Sequence, residues 1–168
     1  MRIRGERYEV PAPDSPWSEV LPGLWMGGLE FRGRSGRLEP AVVRDEFDLV
    51  QSLLRVPGHG PDAGVEHHVW PIPDGPLDGT QLAGVIRLAR AAGEALDAGR
   101  SVLVRCYSGY NRSGLVVAGA LLYRGCTAEE AIRLVRARRS PWALHNELFV
   151  AYLRAGLSTA RLLEELAE

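Results

Sequence analysis

The stretch Val102 to Gly114, Val-Leu-Val-Arg-Cys-Tyr-Ser-Gly-Tyr-Asn-Arg-Ser-Gly, constrains this chain more than any other. An apolar β-branched run leads in and a run of small and apolar residues leads out. That order predicts a strand, a tight loop and a helix. Backbone N–H groups of such a loop, beside the positive end of a helix, form a seat for a phosphate group. Cys106 stands at the start of the loop, Arg112 six residues on, and Ser113 directly after it. Arg112 carries the planar fork that suits two phosphate oxygens. A thiol on the floor of an electropositive loop ionises readily, and the thiolate is the nucleophilic form. The bland alternative is a small buried cysteine at a strand end.

Cleavage of a phosphate monoester by a thiolate needs a nucleophile, donors around the equatorial oxygens, and an acid for the leaving alcohol. Cys106 is the candidate nucleophile. Tyr107, Ser108, Gly109, Tyr110, Asn111 and Arg112 form the candidate phosphate loop. Gly109 allows the turn that brings the N–H groups together, and Asn111 is placed to brace the loop through its amide. Ser113 could donate its hydroxyl to the sulfur, or cap the helix. The acid should be a carboxylate on a separate loop. Asp74, in Trp-Pro-Ile-Pro-Asp-Gly-Pro, follows an expected strand, though Pro-Asp-Gly is also an ordinary turn sequence. Asp78 is the fallback.

Residues 105–114 resemble the signature loop of the protein tyrosine phosphatase superfamily, and within it the compact dual-specificity phosphatases. The resemblance extends from about Ser18 to Leu153. It includes Ser-Glu-Val-Leu-Pro-Gly-Leu-Trp-Met-Gly-Gly at 18–28, Ala-Ile-Arg-Leu-Val-Arg at 131–136, and His-Asn-Glu-Leu-Phe at 145–149. It implies a phosphocysteine intermediate, with Asp74 as acid and then base and Ser113 assisting breakdown. It implies a phosphorylated protein or peptide as substrate, and no metal or cofactor. It also places Asn146 as a support of the loop from a C-terminal helix, where the alternative is a plain helix-entry residue. The chain departs from the family at the residue before the nucleophile, usually His and here Arg105. Arg105 could compensate with its own charge or point away.

The length, 168 residues, suits one domain. Alternating strands and helices predict a single α/β domain, with a central twisted mixed sheet of about five strands flanked by helices. Residues 1–17, with Pro11, Pro13 and Pro16, read as an extended lead-in, and 18–168 as the catalytic domain. Strands are expected around Val20–Met26 and over Phe47–Leu54, Val65–Ile72 and Ser101–Val104. Helices are expected over Leu38–Glu46, Thr80–Asp97, Ser113–Tyr123, Thr127–Arg138, Leu144–Ala155 and Ser158–Leu166. Thr127 with Glu130 spells a capping box.

A net charge of −1 argues against nucleic acid as a partner. No run is long and apolar enough for a membrane span. The charged start, Met1 to Val10, does not read as a secretory leader, and two cysteines make no disulfide framework. The expected compartment is the cytoplasm, and the oligomeric state is left open. His59, His67, His68 and His145 show no metal-site spacing, Cys126 reads as packed, and Arg136 to Arg139 as a solvated helix face. Rival readings are an RNA 5′-phosphatase of the same superfamily, a phosphoinositide phosphatase, a rhodanese-like sulfurtransferase, and a module that binds phosphate without turnover.

Overall fold

The computed structural model describes residues 10–168. The first nine residues of the expected lead-in, and most of the stretch read for a leader, lie outside the described residues. The main sheet has five strands: β1 (Trp17–Leu21), β2 (Leu24–Gly27), β5 (Leu49–Ser52), β6 (Glu66–Val69) and β7 (Val102–Arg105). Their spatial order is β1-β2-β7-β5-β6. Only β1 runs antiparallel to its neighbour. β1 and β2 are joined by a tight turn at Pro22 and Gly23, where the glycine holds φ +85°. The strand carrying the loop is therefore central, and β7 is buried along its whole length.

Five helices follow the expected pattern: α1 (Gly79–Asp97), α2 (Arg112–Tyr123), α3 (Ala128–Arg138), α4 (Glu147–Ala155) and α5 (Leu157–Ala167). The capping box at Thr127 and Glu130 is formed, with the Thr127 hydroxyl accepting from the Glu130 amide. A second box, not foreseen, opens α1: Asp78 accepts from the Gln81 amide, and Gln81 accepts from the Asp78 amide. This corrects the reading of Asp78 as fallback acid, because its carboxylate is committed to a helix start.

One expected helix is absent. Leu38–Glu46 holds no helix; Leu38–Pro40 is strand β4, paired antiparallel with β3 (Glu30–Arg32) in a small second sheet. The tertiary fold overrides local propensity there. The Ala41 amide bonds to Leu29 O, and Ala41 and Val43 are buried.

Alternation along β7 sorts the core. Val102 and Val104 face the helical layer, in one cluster with Leu115, Leu121 and Phe149. Leu103 faces the other side, with Val43, Phe47 and Val50. Continuing that period places Cys106 on the helical face and Arg105 on the opposite one. Among the described residues, no helix is long and apolar enough to cross a membrane.

Candidate active site

The loop after β7 presents its donors and hides its acceptors. Tyr107 O accepts from the Leu29 amide, Tyr110 O from Leu144, and Asn111 O from Leu115. Ser108 O and Gly109 O accept from the Arg139 guanidinium. The amide N–H groups from Tyr107 to Arg112 donate to no acceptor among the described residues. Paired carbonyls and free amides are the arrangement of an anion-binding nest. Gly109 is required for it. Its φ is +74°, and a Cβ there would stand 2.5 Å from the backbone of Gly27. Gly28 allows the same close approach from the other side, since a Cβ would meet Tyr107 O at 2.5 Å.

Cys106, Arg112 and Asp74 open onto one cavity of about 300 Å³, together with Tyr107, Ser108, Tyr110, Asn111, Val10 and His145. Cys106 is 3 % exposed, and its sulfur lies 3.3 Å from Ser113 Oγ. An ionised sulfur accepts that hydroxyl's proton as a hydrogen bond. Ser113 is the second residue of α2, so it does not cap the helix; Asn111 holds the cap position without a side-chain bond. Arg112 donates Nη1 to Ile72 O at 3.3 Å, and its Nε–H has no partner. Arg112 thus bridges the nucleophile loop and the segment that leads to Asp74.

Asp74 is held from two elements. Its Oδ2 accepts from Asn111 Nδ2 at 3.0 Å and its Oδ1 from Asn146 Nδ2 at 2.7 Å. Asn111 is 4 % exposed and nearly saturated. Its Oδ1 accepts from the Asn146 amide, and its Nδ2 also reaches His145 Nε2 at 3.2 Å. Asn146 stands at the start of α4 and reaches Asp74 as well. Its Oδ1 caps α4 through the Leu148 and Phe149 amides, while its Nδ2 holds Asp74.

The sequence gives His145 no metal-site spacing and no role at the loop, and its place in this chain of contacts is not visible there. Its Nδ1 faces Trp142 O at 2.8 Å. A carbonyl only accepts, so Nδ1 carries the proton and Nε2 accepts from Asn111. The residue before it, Leu144, holds φ +57°, an uncommon conformation for a branched side chain. Tyr110 O takes its amide and Arg136 Nη2 its carbonyl. His145→Ala removes one acceptor from Asn111. The expected result is a kcat about 3- to 10-fold lower with KM nearly unchanged, matching the loss of one net hydrogen bond, and steady-state kinetics checks it.

The basic run at the end of α3 is not a solvated face. Arg138 is exposed, but Arg136 donates Nε to Ala143 O and Nη2 to Leu144 O. Arg139 is 8 % exposed and grips the phosphate loop from behind. Its Nη1 also bonds Ser15 O, Ser15 Oγ and Ser18 Oγ. Burial holds its guanidinium below the usual value, with the Tyr110 hydroxyl and Cys106 sulfur pulling the other way. The described end of the lead-in packs on this site: Tyr110 Oη donates to Pro11 O at 2.8 Å.

Arg105 points away from the cavity. Its guanidinium bonds Gly28 O, Ala41 O and His59 O on the far face of the sheet. Cys126 packs against the main core. Among the described residues, no three His, Cys, Asp or Glu side chains cluster to hold a metal ion.

The family model described as Cyclin-dependent kinase inhibitor 3 (CDKN3) matches residues 50–132, which span the Asp74 segment and the loop. No curated protein matches the sequence. Among solved structures, human DUSP28 is similar at 25% identity, covering 94% of this chain and 99% of that one, with a TM-score of 0.62. A mouse putative dual specificity phosphatase complexed with zinc tungstate is similar at 24% identity, covering 94% and 97%, also at 0.62. Kinase associated phosphatase, with its catalytic cysteine replaced by serine, shares the fold at 19% identity, covering 88% and 95%, at 0.59. The chain shares the fold of the dual-specificity phosphatases of the cysteine-dependent protein tyrosine phosphatase superfamily, and over residues 50–132 it is similar to one family of them in sequence.

Proposed function

We propose that this protein is a cysteine-dependent phosphatase that hydrolyses phosphate monoesters on proteins, phosphotyrosine first and phosphoserine or phosphothreonine as well. One observation supports the reading above the others. A sulfur, a guanidinium with a free Nε–H and a carboxylate open onto the same cavity, over a loop whose amides are free. In the first step the Cys106 thiolate attacks phosphorus. The S–P bond forms as the P–O bond to the leaving oxygen breaks, and Asp74 gives that oxygen its proton. The amides from Tyr107 to Arg112 and the Arg112 fork meet the equatorial oxygens, where charge is held through the transition state. In the second step water attacks phosphorus and the S–P bond breaks. Asp74 takes the proton from water, and the Ser113 hydroxyl donates to the departing sulfur.

Asp74→Asn keeps the shape and removes the proton. The expected loss in kcat is about 10²- to 10⁴-fold on phosphotyrosine peptide. The loss is smaller on p-nitrophenyl phosphate, whose leaving group needs little protonation. Equal losses on the two substrates would remove Asp74 from the acid role.

A substrate panel tests the whole reading. Phosphopeptides should be turned over without added metal, in preference to triphosphate-ended RNA and inositol lipids. Faster release of phosphate from RNA would favour the 5′-phosphatase, and binding of phosphopeptide without release would favour a phosphate reader. A thiolate nucleophile suits a reducing compartment, which is why the cytoplasm is the proposed location.

A further inference from the structure

The residue before Cys106 carries a buried charge that no carboxylate pairs with, and only the Cys106 sulfur on the opposite face draws on it. Arg105 is 1 % exposed. Its guanidinium meets only carbonyl oxygens, those of His59, Gly28 and Ala41, at 2.7 to 3.0 Å. Its Nε–H has no hydrogen-bond partner. Among the described residues no carboxylate pairs with it. Carbonyl dipoles solvate a guanidinium but leave its charge intact, and a buried charge without a counter-ion is costly.

A cavity of about 240 Å³ opens beside this group, on the face of the sheet opposite Cys106. Its polar lining is Arg105, Arg55, His59, His67 and Ser52; the other lining residues are aliphatic, proline or glycine, and none is acidic. Arg55, exposed at the rim, stands over the cationic floor that Arg105 makes, with the exposed His67 beside it. His67 Nε2 lies 2.8 Å from Ser52 Oγ. The imidazole titrates below its ordinary value, through burial first and then through the charges of Arg105, His68 and Arg55. Positive potential from three directions at one histidine is what an anion would relieve.

We propose that this cavity is a second oxyanion site, taking a sulfate- or phosphate-type group between Arg55, His67 and the buried guanidinium of Arg105. It stands apart from the catalytic reading, since none of its polar groups touches the Cys106 cavity. The bound dianion supplies the counter-charge that Arg105 lacks, and Ser52 and the ring of His67 supply neutral or cationic donors. Arg occupies the position where the resembled family usually has His, so the site belongs to this chain's own departure from that pattern.

The test is an NMR titration of the histidine ring signals, with His67 assigned by loss in His67→Gln. Inorganic sulfate, compared with chloride at equal ionic strength, should raise the His67 midpoint by on the order of one unit, the effect of one close opposite charge. Arg55→Gln should remove most of that rise while leaving phosphopeptide turnover unchanged. Arg112→Ala, which weakens the catalytic cavity, should leave the His67 rise intact. O-phosphoserine in place of sulfate extends the site to phosphate monoesters if it gives a similar rise; a rise with sulfate alone confines it to the free ion. Arg105→Gln removes the floor charge but disturbs a buried position, so the exposed rim variant Arg55→Gln is the deciding one. A His67 midpoint unmoved by sulfate, or moved equally in Arg55→Gln, overturns the proposal whether or not the chain is a phosphatase.

Discussion

Cys106→Ser should lower turnover of phosphotyrosine peptide on the order of 10⁴-fold or more, while the variant still folds and still binds the peptide. The two halves of that expectation come from different parts of the site. A hydroxyl gives up its proton far less readily than a thiol, so no competent nucleophile forms. The substitution changes little else. Residue 106 is 3 % exposed, its amide bonds Gly27 O at 3.1 Å, and an oxygen in place of sulfur still faces Ser113. The free amides of the loop and the Arg112 fork remain, so affinity for the phosphate group survives. Calorimetric titration of the variant with phosphopeptide, beside a rate assay, reads both. Residual turnover within tenfold of the parent would mean that the sulfur is not the nucleophile.

Arg139→Met should be the most damaging change outside the cavity. The guanidinium makes five hydrogen bonds, two to Ser108 O and Gly109 O and three to Ser15 and Ser18. Methionine fills much of the volume and makes none of them. The two loop carbonyls then lose the charged partner that keeps them turned outward, and unmade bonds of this kind cost about 1–3 kcal/mol each. A total loss of about 2–4 kcal/mol is expected, since relaxation and water recover part. Activity should fall further than stability explains, by about 10- to 100-fold under conditions where the variant is folded, because carbonyl and amide directions in the loop are coupled. Arg139→Lys should recover little, since one ammonium cannot span the carbonyls of Ser108, Gly109 and Ser15. Denaturant melts and kcat measured on the same preparations separate the effects. Unchanged stability in Arg139→Met would show that the loop holds its shape without this clamp.

What the sequence showed, it showed where the signal is local. The strand-loop-helix order around Cys106, the periodicity of Thr80–Asp97 and the box at Thr127 all depend on residues a few positions apart. The structure bears out those two helices and the box, and the loop follows β7 as expected. The misses share another cause. Arg139 has its partners 31, 30, 124 and 121 residues away, at Ser108, Gly109, Ser15 and Ser18. In sequence it is one more arginine after Arg136 and Arg138. Arg105 sits in an apolar strand, and nothing in the strand says which carbonyls will receive it. The hairpin of β3 and β4 depends on pairing across a turn at Gly33 to Gly36, and on Val43 just after it finding a core contributed by β5 and β7. His145 gained a role only when the starts of α2 and α4 brought Asn111 and Asn146 to opposite oxygens of Asp74. Each is a contact between distant segments, which short-range pattern does not encode.

A crystal structure with orthovanadate bound tests the account most directly. The result expected is vanadium bonded to Cys106 Sγ, its equatorial oxygens on the amides from Tyr107 to Arg112 and on the Arg112 guanidinium, and an apical oxygen against Asp74. Vanadate bound elsewhere, or the amides of 107–112 paired to protein and the sulfur shut away from it, would contradict the account.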